Sequence, residues 1–392
     1  MKNKVFHNPI SASRSIIAPR RAIRYDILER REIDPEVLSF EPVKCNVDSF
    51  KGVHLEQRQC PFAPGREWNT TFEYARYEHG NLISHNPPVY PENANSEWEL
   101  RAIDNKTPLF DEVDLIEKVE YRLDSREVIS GVETVDALGK SYLIIETRDH
   151  IVPTPLIDFF KVFKISQLLT IRELKKPYVH YVALGKNNAG LPQKVTCPLC
   201  RQEYYKWESY ICGASQPHPH SEIFSMAFLP MQLEQEMKYT EKYFKEHGVS
   251  PYEQLLQGED FVLLRGKCFS MIVDPAPKFF GTITIIAHEA HNITELNDEQ
   301  LKELATFVSK AQQLLDLKFG GYPGNIYFKQ SFKWQIEEFP HTRMRVKLFV
   351  RRNIHGFLEH STGIIGMEVD PLELKEEYKI LLKKYVKEPT FA

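Results

Sequence analysis

The run Gly213-Ala214-Ser215-Gln216-Pro217-His218-Pro219-His220-Ser221-Glu222 is the stretch from which the fold and function of this 392-residue chain are predicted. It places two histidines on either side of one proline, directly after a turn of small residues. Proline fixes φ and side chains alternate along an extended chain, so both imidazoles point to the same side. We predict that His220 is a nucleophile toward phosphorus, and that Gly213 and Ser215 belong to a phosphate-binding turn.

The run by itself is also compatible with a proline-rich surface loop that exposes two histidines. A choice between the two interpretations requires matching segments elsewhere in the chain. Ser215 and Glu222 are the other side chains of the run that we predict to take part in catalysis.

Composition and charge limit the classes of function. Hydrophobic residues make up 42% of the chain and charged residues 27%, as in ordinary globular proteins. The formal net charge is −4, without a basic stripe, so we expect no nucleic-acid partner. No signal peptide and no run of about 18 apolar residues is present, so we expect a cytoplasmic protein without a membrane partner.

Length and periodicity predict the organisation of the chain. A single core rarely grows beyond about 250–300 residues, so two domains or two fused halves are expected. Apolar periodicity predicts helices at residues 156–174, 232–247, 298–317 and 372–387. It predicts strands at 141–147, 178–184, 261–264, 281–287 and 344–350, and the residues of 84–96 predict a loop.

Several separated segments resemble, in the same order, the galactose-1-phosphate uridylyltransferase family, a branch of the histidine-triad superfamily. They are residues 8–11 with 16–22, 60–67, 98–108, 141–150, 186–187, 213–222, 281–291 and 356–363. The resemblance implies an α+β fold of two fused histidine-triad-like halves, each a mostly antiparallel sheet with flanking helices. We place the halves at residues 1–225, with the His-Pro-His motif and an inserted segment at about 191–211, and at residues 226–392.

The resemblance also implies an activity. A family member moves a nucleoside monophosphate between a nucleoside diphosphate sugar, or a similar compound, and a sugar 1-phosphate or phosphate, through a covalent nucleotidyl-histidine that corresponds to His220. It implies a nucleotide or nucleotide-sugar substrate and a possible homodimer. It further implies a set of residues near the nucleotide and its phosphates: Arg20, Arg21, Asn105, Lys186 and Asn187.

The zinc site of the family is altered in this sequence. Its second cysteine is replaced by Ala63, which leaves Cys60 alone, while a new C-x-x-C stands in the inserted segment. Such a pair can complete a tetrahedral zinc site, although it is also compatible with a reduced turn without metal. The predicted zinc ligands are Cys197, Cys200, His150 and His218, with Cys60 as the alternative ligand.

A second metal site, which some family members have, is not expected in this chain. Glu236 has the spacing of its glutamate. However, the strand positions at which histidines are expected hold Phe328, Arg345 and Lys347.

Glu222 stands where the family has a glutamine that donates a hydrogen bond to the transferred phosphate. An ionised carboxylate would repel that phosphate. Glu222 is therefore protonated, or it points to another partner, or it is an acid/base for a changed second step. The last option leads to an alternative function, a nucleotide or phosphoramidate hydrolase of the histidine-triad type, and a nucleotide-binding protein with altered activity is a further alternative.

Overall fold

The computed structural model describes residues 4–7, 14–17, 60–91, 97–112, 127–149, 154–190, 193–196, 201, 203–206, 209–216, 218–351, 357–362 and 371–391. Five of the residues predicted above to bind nucleotide or zinc lie outside the described residues: Arg20, Arg21, His150, Cys197 and Cys200.

The first half of the chain consists mainly of strands. They are β1 (Lys4–His7), β2 (Arg14–Ile17), β3 (Glu73–Glu78), β4 (Asn81–Val89), β5 (Trp98–Asp104), β6 (Glu127–Ile129), β7 (Val132–Asp136), β8 (Gly139–Ile145), β9 (Tyr181–Asn188), β10 (Gln193–Thr196), β11 (Glu203–Lys206) and β12 (His220–Met226). A small sheet has the order β2-β1-β7-β6. Strands β10 and β11 pair antiparallel inside the predicted insertion, with Thr196 opposite Glu203.

One large sheet joins the two halves. The second half contributes β13 (Val262–Arg265), β14 (Phe269–Val273), β15 (Phe280–Ala287), β16 (Gly324–Lys329) and β17 (Arg345–Val350). The 11-stranded sheet has the order β13-β14-β15-β17-β16-β9-β12-β8-β5-β3-β4. All its neighbouring strands are antiparallel, and the halves meet where Lys186 of β9 lies opposite Ile326 of β16. The α+β prediction is confirmed, and the boundary at residue 225 stays a prediction.

Helices cover parts of this sheet. In chain order they are α1 (Phe159–Leu174), α2 (Met231–His247), α3 (Pro251–Gln257), α4 (Asp298–Phe319), α5 (Lys333–Glu338), α6 (Phe357–Thr362) and α7 (Pro371–Lys384). Within the described ranges, no helix combines the length and the apolar composition that crossing a bilayer requires.

Helices α1 and α4 pack against each other and against one face of the sheet. The Phe163 ring of α1 contacts the Phe328 ring of β16 at a centroid distance of 5.4 Å. Because side chains alternate along a strand, Tyr327 and Lys329 point to the opposite face. Helix α2 lies on that second face, where its Glu236 carboxylate pairs with the Lys329 ammonium. We call the face of α1 and α4 the covered face and the other the open face.

Local sequence signals account for the start and end of α4. Asn297 accepts a hydrogen bond from the Gln300 backbone, and the Gln300 side chain accepts one from the Asn297 backbone. The helix ends at Gly320, whose φ of 68° favours glycine. Its buried residues recur at helical spacing and form much of the core: Leu301, Leu304, Ala305, Val308, Ala311, Leu314 and Leu315.

The periodic predictions for the helices at 156–174, 232–247 and 298–317 and the strands at 281–287 and 344–350 are confirmed to within a few residues. The loop predicted at 84–96 is wrong in its first part, because residues up to Val89 belong to β4. Strand β4 is one of the two edge strands of the sheet. An edge position tolerates Pro87 and Pro88, since a missing N–H there need not break a ladder.

Truncation in the core of α4 tests the importance of its buried face. Leu304→Ala removes a side chain that is 0% exposed, so we expect a loss of about 2–5 kcal/mol of unfolding free energy. Leu317→Ala is the matched control on the same helix, because Leu317 is 46% exposed, and we expect a loss of no more than about 1 kcal/mol. Urea denaturation followed by circular dichroism measures both, and equal losses would contradict this assignment of the core.

Candidate functional site

His220 is the first residue of β12 and is buried. Its Nδ1 lies 2.8 Å from the backbone carbonyl oxygen of His218. A carbonyl oxygen only accepts, so Nδ1 carries the proton and Nε2 keeps its lone pair. Burial lowers the pKa of His220, and the Glu222 carboxylate opposes this shift only in part. His220 therefore presents a neutral imidazole with one nitrogen fixed, which is the form that a nitrogen nucleophile requires.

His218 is held by two neighbours. Its Nε2 donates to the backbone carbonyl of Thr147 at 2.8 Å, and its Nδ1 lies 3.6 Å from the Cys60 sulfur. The rings of His218 and His220 both contact Phe62, with centroid distances of 5.9 and 5.7 Å. The two imidazoles thus lie on the same side of the strand, as the alternation predicted, but only His218 contacts the cysteine.

A small cavity of about 200 Å³ lies beside His220. Asn105 and Ser215, both predicted at the nucleotide, line this cavity together with His220. The Asn105 side-chain oxygen accepts a hydrogen bond of 3.0 Å from the Thr107 backbone, which forms a short turn at the end of β5. Three of the predicted site residues are therefore brought together around one cavity.

The turn before the histidines has a left-handed glycine. Gly213 has a φ of 85°, a conformation that favours glycine. Its N–H donates to the Tyr210 carbonyl at 3.1 Å. The Gly213 N–H is therefore used within the turn, whereas a phosphate-binding turn would direct it toward the phosphate. Ser215, two residues later, is the member of the predicted turn that lines the small cavity.

Glu222 lies on the open face two residues after His220. It lines a second, larger cavity of about 970 Å³, which extends toward the second half of the chain. Its Oε2 accepts a hydrogen bond of 3.1 Å from the Asn187 amide, and Asn187 in turn accepts one of 2.8 Å from Asn325. Three explanations were considered for a carboxylate at this position. The structure agrees with the second, in which Glu222 points to another partner, because that partner is the side chain of Asn187.

Lys186, which was predicted to lie near the phosphates, has a carboxylate partner in the structure. Its ammonium is buried in an ion pair with Glu146, whose second oxygen accepts a hydrogen bond of 2.5 Å from the Ser221 hydroxyl. Neighbouring residues of a strand point to opposite faces, so Lys186 and Asn187 cannot both face the open side. Lys186 is therefore linked to β12 on the covered face, through Glu146 and Ser221.

Glu236, which has the spacing of a metal-ligand glutamate, is surrounded by cations. Its carboxylate pairs with Lys329 and, at 2.5 Å, with the buried guanidinium of Arg345. Arg345 also donates to the Tyr252 hydroxyl. Burial by itself raises the pKa of Glu236, but Arg345 and Lys329 outweigh burial and lower it. In the described part of the chain, Glu236 thus fixes α2 to the sheet by ion pairs.

Two residues of this region, Glu146 and Asn325, were not predicted from the sequence to belong to the site. Glu146 lies at the end of a strand run that was predicted, and its partners are 40 and 75 residues away in the chain. Asn325 follows Gly324 in a strand whose buried and half-buried residues alternate. A polar residue on the half-buried face of that strand was the sequence signal that could have pointed to it.

Removal of the Glu236 charge tests this cluster. Glu236→Gln leaves the buried Arg345 without a counter-charge, and we expect a loss of about 1–3 kcal/mol of unfolding free energy at pH 7, less than for a fully buried pair because the Glu236 side chain is 40% exposed. The Glu236 pKa is lowered on folding, so this contribution is present above about pH 4.3 and is lost as the pH falls through the folded pKa.

Urea denaturation at several pH values measures this difference, and the wild-type and variant proteins should converge at acid pH. Glu234→Gln on the same helix is the control, since Glu234 forms a more exposed pair with Lys238. A constant difference between wild type and Glu236→Gln down to acid pH would contradict the assignment.

The chain is similar to known proteins in part of its sequence and in its fold. No family model matches it. It is 24% identical over 194 residues to a galactose-1-phosphate uridylyltransferase of Haemophilus influenzae, a match that covers 48% of this chain and 50% of that protein. The match thus spans about half the length of the curated relative.

Solved structures match over a larger share of the chain. A uridylyltransferase has a TM-score of 0.65 at 16% identity, covering 98% of this chain and 100% of that one. An ADP-glucose phosphorylase from Arabidopsis thaliana with bound ADP-glucose has a TM-score of 0.64 at 18% identity, covering 82% and 88%. A galT-like protein from Arabidopsis thaliana has a TM-score of 0.63 at 18% identity, covering 84% and 92%. The chain has the fold of these proteins, and over about half of its length its sequence is similar to that of a galactose-1-phosphate uridylyltransferase.

Proposed function

We propose that the chain is a nucleotidyltransferase that moves a nucleoside monophosphate between a nucleoside diphosphate sugar, or a similar compound, and a sugar 1-phosphate or phosphate. The observation that carries this proposal is the buried His220 imidazole, whose Nδ1 is fixed on the His218 carbonyl at 2.8 Å beside a cavity. The sequence match to a uridylyltransferase over half of the chain supports the same class of reaction.

The reaction has two displacement steps. In the first, the lone pair of His220 Nε2 attacks the α-phosphorus, an Nε2–P bond forms, and the P–O bond to the leaving phosphate breaks with its electron pair on oxygen. Positive charge develops on the imidazole, and the Nδ1–H bond to the His218 carbonyl stabilises it. In the second step, a phosphate oxygen of the acceptor attacks the same phosphorus and the Nε2–P bond breaks. The histidine returns to its neutral form without a net proton change.

The small cavity is suited to the nucleoside end of the substrate. It lies next to His220 and is lined by Asn105 and Ser215, with both polar and apolar side chains. The larger cavity on the other side of Glu222 then receives the sugar or acceptor end. This arrangement leaves the scissile phosphate between the two cavities, at His220.

Replacement of His220 tests the nucleophile. His220→Asn removes the attacking nitrogen, so we expect turnover to fall by about a thousandfold or more and the covalent label from an α-³²P nucleotide sugar to disappear. His247→Asn is the control, because His247 also places Nδ1 against a backbone carbonyl, at 3.0 Å, but is exposed on α2. Full labelling of His220→Asn would rule out the covalent mechanism.

A hydrolase is the second candidate function, because Glu222 lies on the same strand face as His220 and could activate water. Glu222→Gln separates the two functions. In a transferase, loss of the carboxylate removes repulsion of the phosphate, so transfer should rise or remain unchanged. In a hydrolase, release of nucleoside monophosphate without an acceptor should fall by about a hundredfold. Product analysis with and without acceptor measures both rates.

We also propose that zinc holds the Cys60 segment to the histidine motif. The 3.6 Å between Cys60 Sγ and His218 Nδ1 fits two ligands of one tetrahedral zinc, for which bond lengths of about 2.3 and 2.1 Å give a separation of about 3.6 Å. The Nε2–H of His218 is already held by a carbonyl, as is usual for a zinc-binding histidine. His150 and one of Cys197 and Cys200 complete the proposed ligand set. Bound zinc would have a structural role there.

Metal analysis of the purified protein tests the zinc proposal. We expect zinc in stoichiometric amount in the wild type, and its loss in Cys60→Ser and in Cys197→Ser,Cys200→Ser. Cys268→Ser should retain it, because Cys268 lies near Gln300 on α4, away from His218. Wild-type protein without zinc would contradict the proposal. A homodimer and a cytoplasmic location stay predictions from the sequence.

A further inference from the structure

The large cavity has a floor that runs across four strands of the open face. Glu222 of β12 lies opposite Gly185 of β9, Gly185 opposite Tyr327 of β16, and Tyr327 opposite Lys347 of β17. Neighbouring strands are about 4.8 Å apart, so this row places Lys347 about 14 Å from Glu222. Gly185 has no side chain, so no side chain fills the cavity between Glu222 and Tyr327. The cavity is therefore a trough that leads from the nucleophile strand to β17.

Arg351 stands at the far end of this trough. Its guanidinium carbon lies 4.8 Å from the centroid of the Phe279 ring, and Phe279 stacks on Phe349 at 4.3 Å with an angle of 9° between the rings. Stacking uses the flat face of a guanidinium and leaves its N–H groups at the edge for other partners. The aromatic pair thus holds Arg351 in place without consuming its hydrogen-bond donors.

Two other cations of the trough floor, Lys329 and Lys347, differ from Arg351 in their partners. Lys329 pairs with Glu236, and the Lys347 ammonium lies 2.6 Å from Asp274. Among the residues that the structure describes, Arg351 forms no ion pair with a carboxylate. An arginine that is held by stacking and whose N–H groups do not bind a carboxylate is suited to bidentate binding of a phosphate group.

Asn325 adds a second polar group at this end. It lies opposite Phe349 and opposite Asn187 in the sheet. Its amide donates to the Asn187 side chain at 2.8 Å and to the Cys212 carbonyl at 2.9 Å. Its Oδ1 is buried and has no hydrogen-bond partner in the described part of the molecule. Because buried polar atoms normally have a hydrogen-bond partner, this oxygen is suited to accept from a substrate donor such as a hydroxyl group.

We propose that Arg351 binds a second phosphate group, at the end of the substrate that lies opposite the nucleotide. Two strand spacings from β12 to β16 and three to β17 separate this corner from the nucleophile strand by about 10–14 Å. A phosphate that reacts at His220 lies beside β12, so we assign the group bound at this corner to a different part of the substrate. The substrate class is thus a phosphate compound in which a hydroxyl-bearing spacer carries a further, terminal phosphate.

This inference rests on the proposed function for the identity of the reacting phosphate, but the binding of a terminal phosphate can be measured without turnover. Two probes differ only in the far group: hexyl phosphate and hexane-1,6-diyl bisphosphate. We expect the wild-type protein to bind the bisphosphate at least about tenfold more tightly, as the gain of one arginine–phosphate contact. Isothermal titration calorimetry measures both dissociation constants.

Variants assign this preference to Arg351. Arg351→Gln should bind the two probes with equal affinity, and Arg351→Lys should recover part of the preference, because it restores charge but not the planar donor pair. Arg172→Gln is the matched control, since Arg172 stacks on Tyr74 at the same 4.8 Å but on α1. Circular dichroism melting of each variant reports on its folding.

The same comparison in His220→Asn separates this inference from the proposed function. The preference for the bisphosphate should persist in that variant even if no nucleotide transfer is found. Equal affinity of the wild type for the two probes, or no binding of either, would overturn the inference. A preference that survives in Arg351→Gln would overturn it as well.

Discussion

The hydrogen bond from His220 Nδ1 to the carbonyl of His218 is the constraint on which the site depends. It exists because Pro219 keeps the chain extended between the two histidines, and because the Glu146 N–H donates to the Pro219 carbonyl at 3.1 Å, where β8 ends and β12 begins. The bond fixes the tautomer, and burial lowers the pKa of His220. A neutral nitrogen with a fixed direction follows from backbone geometry and not from a catalytic side chain.

The alternation of side chains on β9 and β12 divides the polar residues between two environments. On the covered face, Lys186, Glu146 and Ser221 satisfy one another, so the charged groups are buried in pairs. On the open face, Glu222 and Asn187 form a hydrogen bond at the cavity. The covered face therefore stabilises the strand that begins at His220, while the open face presents polar side chains to the larger cavity. A shift of register by one residue would exchange the two roles.

The second half provides most of the open cavity and its charges. Ion pairs join α2 to the sheet at Glu236, whose carboxylate pairs with Lys329 and Arg345. At the end of β17, Arg351 is instead held by an aromatic ring. The first half thus supplies His220 and the small cavity, and the second supplies most of the charged groups along the larger cavity. Their union in one antiparallel sheet sets the distance between them.

The sequence by itself determined the α+β class, the main periodic elements and the histidine motif, because local spacing and proline geometry encode them. Its motifs also singled out Asn105, Ser215 and Asn187, which line the two cavities. Only the tertiary structure decided that Lys186 faces Glu146, that the Gly213 N–H is used within its turn, and that Glu222 binds Asn187. These contacts join strands that are distant in the chain. The register of strand pairing determines the face and the partner of each side chain, and sequence periodicity does not specify that register.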